Sequence, residues 1–271
     1  MMTDSDTLSS RQSWGWRGAR ELFPFLAATA VWQLVCSLNI WPRTLFPSPL
    51  DVMSAFVVDL RSGQLLSDLA TSLGSLLLGF LVGTAIALPI GYLMGLSRRS
   101  RDFFDPLVNL IQAIPGLAWI PFAILWFGLG QGAVTFIIMM SVFFPMLHNL
   151  LTGIRTLQPV LLEASQTLGA RRSQLIWHVI FPATLPNLMT GIRLGIAFGF
   201  RSLVGGEMIA GTNGIGYAIY NAQQYFQSAR IVVGMLTIGI AWLLIDRCLL
   251  RPVERRTTVR WGMLRDGIDN V

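Results

Sequence analysis

Long uncharged runs alternate along the chain with short clusters of arginine, and the runs have the length of membrane crossings. Leu22 to Ile40 carries no formal charge and follows a polar start with Arg11, Arg17 and Arg20. It exceeds the apolar core of a secretory signal, about 7–15 residues, and no small-residue cleavage pattern comes after it, so it reads as a retained first transmembrane helix. Leu69 to Leu96 is 28 residues without a charge, about 42 Å of helix at roughly 1.5 Å per residue, enough to cross with tilt. Pro106 to Ile154 is 49 residues without a charge, which suits two crossings of roughly 20 each. The turn chemistry of Gly128-Leu129-Gly130-Gln131-Gly132 divides them. A fifth span runs from about Ala183 to Ile209 and a sixth from Ile231 to Leu250. The pattern predicts an all-α membrane protein of about six helices.

Two further segments have helical spacing without the length to cross. Pro49 to Leu60 sets Leu50, Met53, Phe56, Val57 and Leu60 opposite Asp51 and Asp59, and Tyr217 to Phe226 comes after the turn Gly211 to Gly216. Each suits a helix lying in the headgroup plane or a docking surface for an outer partner. Prolines 89, 115, 121 and 145, with Gly79, Gly83, Gly91 and Gly116, interrupt the apolar helices, as befits a bundle that moves. The segment from Arg155 to Phe181 reads as two short helices: one opened by Gln158-Pro159 and stopped by Gly169, the other from about Arg171 to Ile180 and ending before Pro182. Their apolar faces need a surface to bury them, either the helix ends or a groove on another protein.

Of 271 residues 53% are apolar and 13% charged, against about 25% charged in a soluble domain. The mean hydropathy is +0.59. The formal net charge of +6 would suit nucleic acid if it were spread over one surface, but it is not. With a cytoplasmic N-terminus, fifteen arginines fall on the inner side, and Arg43, Arg61 and Arg230 on the outer. That imbalance is the basic-inside signature of membrane topology, with both termini cytoplasmic. There is no lysine, so a P-loop lysine and a Schiff-base lysine are both excluded. His148 and His178 have no partners at metal-ligand spacing, and Cys36 and Cys248 read as apolar fillers. Neither a metal nor a catalytic centre is expected.

In the inner loop, Glu163-Ala164-Ser165, then Gly169, then Val179-Ile180-Phe181-Pro182 resembles the coupling loop of permease subunits of bacterial ATP-binding-cassette (ABC) importers. Ser165, Val179 and Phe181 replace the usual alanine, isoleucine and leucine. Phe46-Pro47-Ser48-Pro49, Ile114 to Pro121, Leu125 to Gly130, Phe143-Phe144-Pro145 and Gly205-Gly206-Glu207-Met208 are similar to the subgroup importing nitrate, sulfonates and taurine. Arg251 to Arg256 with Trp261 extends that likeness, and Gln131 departs from it where a glutamate is usual. The resemblance implies a type I importer bundle in the bacterial inner membrane. Its parts would be a cytoplasmic segment 1–20, a first helix 21–41, a transmembrane domain 65–250 with coupling loop 155–182, and a cytoplasmic tail 251–271.

The same resemblance implies a non-catalytic permease that holds no cofactor and leaves ATP to a partner. The partners would be a cytosolic ABC ATPase, a periplasmic or lipid-anchored solute-binding protein, a second permease copy forming a homodimer, and the lipid bilayer, but no nucleic acid. Glu163, Ala164, Ser165, Gly169 and Pro182 would form the ATPase-coupling loop. Arg201 and Glu207 are the candidates for the solute path, because charges inside a span face protein or water. Arg201 stands where the family usually has a small or aromatic residue, and suits either an anionic solute or a structural ion pair. An ion-gradient-driven secondary carrier is the alternative function.

Overall fold

The computed structural model describes residues 23–254 apart from 25, 39 and 41, and their regular structure is helical. The N-terminal segment 1–20 and the tail beyond 254, with Arg11, Arg17, Arg20, Arg255, Arg256, Arg260, Trp261 and Arg265, lie outside the described residues.

Helix α1, Leu26–Ser37, is tied to the start of the next helix by Trp32 Nε1 donating to the Pro47 carbonyl at 3.1 Å. Helix α2, Pro49–Arg61, starts at a reciprocal cap: Asp51 N donates to Ser48 Oγ, and Ser48 N donates to the Asp51 carboxylate. Those Ser48 hydrogen bonds, the side-chain one foremost, hold the Asp51 carboxyl below its usual range. Val52 of α2 packs with Leu65 and Val233, and Asp59 pairs with Arg230 at 3.1 Å. The amphipathic segment is therefore docked on the bundle, with Leu50 and Met53 left outside.

Helix α3, Gln64–Leu96, is 33 residues long, about 50 Å. Ser97 ends it and caps α4, Arg98–Gln112, while Arg101 donates to the Met94 and Gly95 carbonyls that α3 leaves open. After Gln112 the chain breaks at Ala113-Ile114-Pro115, makes a 3₁₀ turn, Gly116–Trp119, and continues as α5, Ile120–Phe127. The two halves meet at 89°. The expected third span beginning at Pro106 is thus a bent pair whose first half starts at Arg98. The cause is local: Pro115 is extended at ψ 140° and has no N–H to give the turn before it.

Helix α6, Gln131–Arg155, comes after the predicted glycine turn, in which Gly128 and Gly130 have φ of 73° and 123°. Beyond it come α7, Pro159–Thr167, a single turn α8, Arg172–Gln174, and a π-turn, Leu175–Ile180. Helix α9, Phe181–Ala210, leads to α10, Ile215–Gln224, and α11, Ser228–Ile245. A second π-turn, Asp246–Leu250, and α12, Arg251–Glu254, complete the described chain. Among the described residues four runs are long and apolar enough to cross a membrane: Gln64–Leu96, Gln131–Arg155, Leu175–Ala210 and Ser228–Val253; the bent pair makes a fifth. The described part of α1, Leu26–Ser37, is a shorter apolar helix and lies within the segment expected to be the first span.

Helix α6 is the centre, with Val142, Leu147 and Leu150 fully buried. Glycines on α3 and α9 let both helices close on it. A Cβ at Gly79, Gly83 or Gly91 would stand 2.6, 2.9 or 2.6 Å from Ile138, the Met139 carbonyl or Leu150, and one at Gly199 3.1 Å from Val142. In lipid, where apolar burial gives helices little reason to associate, such backbone approach supplies the packing.

Gly83→Val is expected to wedge α3 from α6 and cost about 1–3 kcal/mol, read as a lower thermal midpoint in detergent. Gly239→Ala, which meets nothing within 4 Å, should leave the midpoint unchanged or higher.

Candidate functional site

The projection between α6 and α9 is built by local signals. Pro159 occupies the first turn of α7. At its end Gly169 N donates to the Gln166 carbonyl at 2.9 Å and Ala170 N to the Ser165 carbonyl at 3.0 Å. This is the paired closing pattern of a helix whose next residue is left-handed. Gly169 is that residue, at φ +81°, with open space where a Cβ would be; the conformation, not crowding, requires glycine. Arg171 N donates to Gln174 Oε1 at 2.8 Å and starts the second helix.

On this projection Val160, Leu168 and Trp177 are 69%, 88% and 66% exposed. Glu163, Ala164 and Gly169 are exposed and Ser165 is partly so. Ser165 Oγ and Thr167 Oγ1 donate to the Leu161 and Glu163 carbonyls, within the helix. The projection thus exposes Glu163 and three large apolar side chains.

Pro182 does not end a helix. The run from Leu175 to Ala210 is continuous, and the π-turn stands immediately before Phe181-Pro182. A second π-turn stands immediately before Arg251-Pro252. In both places the proline ring displaces the carbonyl one turn back, and a wider turn accommodates it.

Glu207 is 2% exposed. Its Oε2 accepts from Ser72 Oγ at 2.9 Å and from Gly216 N at 2.8 Å, while Ile215 N donates to Ser72 Oγ at 2.9 Å. A side chain of α9 and one of α3 therefore satisfy the first amide groups of α10 from outside that helix. Glu207 Oε1 has no hydrogen-bond partner among the described residues. A polar cavity of about 110 Å³ beside the carboxylate is lined by Thr71, Ser75, Gln131, Thr212 and Asn213. A Cβ at Gly214 would overlap the carboxylate. The Gly211 to Gly216 turn is glycine-rich because it wraps a buried acid.

The arginines of α9 divide. Arg193 pairs with Asp246 at 2.8 Å, and Arg251 pairs with the other oxygen of Asp246 at 2.9 Å. Arg201 is exposed and lies over the Phe198 ring, 5.6 Å from its centroid. Arg201 and Glu207 are thus not brought together. His148 donates to Gln112, and His178 contacts the Gln174 carbonyl of its own helix. Among the described residues no group of three metal-ligating side chains forms.

Ser72, Asp246 and the hydroxyl pair Ser141–Ser202, 2.5 Å apart, were not among the sequence candidates for a site. Serine carries no signal of its own in an apolar run, and the only hint was that Asp246 stands inside a span with arginines close by in the chain.

Residues 87–250 match the family described as binding-protein-dependent transport system inner membrane component. The chain is 31% identical to the taurine transport system permease protein TauC of Escherichia coli (strain K12), over 92% of this chain and 94% of that protein. It is 32% identical to a putative aliphatic sulfonates transport permease protein of Bacillus subtilis (strain 168), over 95% and 92%. With the nitrate import permease protein of Synechocystis it shares 28% over 83% and 86%. Among solved structures, inward-facing MetNI methionine ABC transporter superposes with TM-score 0.63 at 18% identity, covering 76% of this chain and 99% of that one.

Glu207→Ala leaves a buried hydroxyl and a buried amide unpaired, at about 1–3 kcal/mol for each. Hydrogen exchange should quicken across 211–224, and the thermal midpoint should fall. Glu207→Gln, which keeps an acceptor, should lose less.

Proposed function

The chain belongs to the family of binding-protein-dependent transport system inner membrane components, and from that premise we propose how its parts are used. It is the transmembrane permease subunit of an ABC importer, a multi-pass protein of the inner membrane. The family gives no support to the ion-gradient carrier.

The projection 155–182 seats in a groove of a cytosolic ATPase subunit, which binds and hydrolyses ATP in the permease's stead. The observation that carries this is the exposure of Val160, Leu168 and Trp177 on the same projection as Glu163. Side chains at membrane depth have lipid to cover them; Val160 and Leu168 lie outside the apolar runs, in the segment between two of them, and need a protein. Glu163 supplies a charged contact at the rim, Ala164 permits close approach, and Gly169 fixes the angle between the two short helices.

The arginine asymmetry supports an inner location for the projection and both termini, including the tail 251–271. The opposite end receives a solute-binding protein. Support comes from a cavity of about 580 Å³ lined by Asp59, Asp68, Asn213, Tyr217, Asn221 and Arg230, and from exposed Tyr225 and Phe226 beside it. A second permease copy, making a homodimer, completes the path through the domain 65–250. The solute is a small oxoanion such as a sulfonate, taurine or nitrate, in keeping with the names of the relatives.

Affinity purification of the permease should bring down an ATPase subunit. Glu163→Lys and Gly169→Asp should each weaken that capture by about tenfold, equivalent to about 1.4 kcal/mol at a contact that matters, with bilayer insertion retained. Wild-type capture by both variants would place the ATPase contact elsewhere.

A further inference from the structure

The structure assigns Arg201 as the residue of the permease that contacts the travelling oxoanion and selects it over a neutral solute. This rests on the proposed function and adds a residue to it.

Arg201 lies about 8 Å along the axis from the middle of Phe181–Ala210, within the apolar depth of a bilayer. A guanidinium there is costly unless protein, water or an anion surrounds it. Among the described residues no carboxylate lies within ion-pair reach of it, whereas Arg193 on the same helix has Asp246. Arg201 rests against the face of Phe198, which holds the charge without neutralising it.

Thr190, Leu194, Phe198 and Arg201 are exposed and succeed one another at helical spacing, so they form one open stripe along α9. Lipid is a poor cover for a stripe with an unneutralised guanidinium in it. The stripe adjoins the broken helix: Leu117, from the 3₁₀ turn, packs on Gly205, one turn beyond Arg201. On that side the Ser141–Ser202 hydroxyl pair lies where a Cβ on Gly116 would stand 2.5 Å from Ser141 Oγ. An interrupted helix, an uncompensated charge and an uncovered face thus meet at one depth, as expected of a wall lining water.

Sulfonate and nitrate spread one negative charge over coplanar or fanned oxygens, which the flat fork of arginine engages through two donors at once. Lysine would supply the charge without the fork. A neutral sulfone offers oxygens of the same shape without the charge.

The test uses the complete importer, with its ATPase and solute-binding protein, in proteoliposomes supplied with ethanesulfonate, nitrate or neutral ethyl methyl sulfone. Arg201→Gln should lower the maximal rate of oxoanion uptake about tenfold or more, leaving the half-saturating binding-protein concentration unchanged. Arg201→Lys should recover part of the rate. Co-purification with the ATPase and an unchanged elution volume establish that both variants fold. Wild-type oxoanion rates in both variants would overturn the role of Arg201 alone. Transport of the sulfone and no oxoanion by the wild-type importer would overturn the solute class and this inference with it. A loss in Arg201→Gln that is equal for all solutes and tracks anionic lipid content would assign the arginine to a lipid phosphate and overturn the inference.

Discussion

The bundle depends on how closely α3 and α9 approach the central helix α6. Gly79, Gly83 and Gly91 on one side and Gly195 and Gly199 on the other remove the side chains that would hold the backbones apart, and Val142 touches both neighbours. Water-driven collapse cannot hold helices together inside lipid, so interdigitated contact must. Everything else is hung on this three-helix unit. The broken segment α4–α5 lies against it at Gly116 and Gly205, the projection α7–α8 leaves it at Arg155 and returns at Leu175, and α2 and α10 are docked at the opposite end.

Two buried acids then tie further elements to that unit in different ways. At the end away from the projection Glu207 accepts from a serine of α3 and an amide of α10, and so joins three elements through one carboxylate. Further along the chain, Asp246 takes an arginine from α9 and another, Arg251, from one turn beyond it. Neither carboxylate is exposed, and removing a donor from a buried carboxylate costs more than the contact returns in water. The positions of both acids are set by the helices they bridge, which is why they stand inside spans that hydropathy alone would keep uncharged.

How much of this was legible in the residues depended on whether the determining signal was local. The projection was readable because its helix starts and stops are written within a few positions: Pro159, Gly169, and the motif from Glu163 to Pro182. The glycine turn at 128–132 was readable for the same reason. The bend at Ala113 to Pro115 was not, because hydropathy counts apolar residues without regard to direction, and a broken segment scores as well as a straight one. The π-turn before Pro182 was hidden too, since proline signals an interruption and not how a helix absorbs it. Glu207 was assigned to the path from its depth in α9; its burial depends on Gly214 and Gly216 folding back over it, a return that no pattern within α9 contains.

A single helical run, Leu175–Ala210, joins three of these features. It begins in the projection, passes Arg193 and Arg201, and ends just past Glu207. At about 1.5 Å per residue its 36 residues extend about 54 Å, longer than the hydrocarbon core is thick. A continuous helix of that length transmits displacement from end to end, and its π-turn at Leu175–Ile180 lies at the projection end. The π-turn therefore lies next to the exposed projection, and the glycine-gripped part is inside the bundle. The departure from regular geometry thus stands outside the stretch from Gly191 to Gly206, where the absence of side chains lets the helix close on α6 along its length.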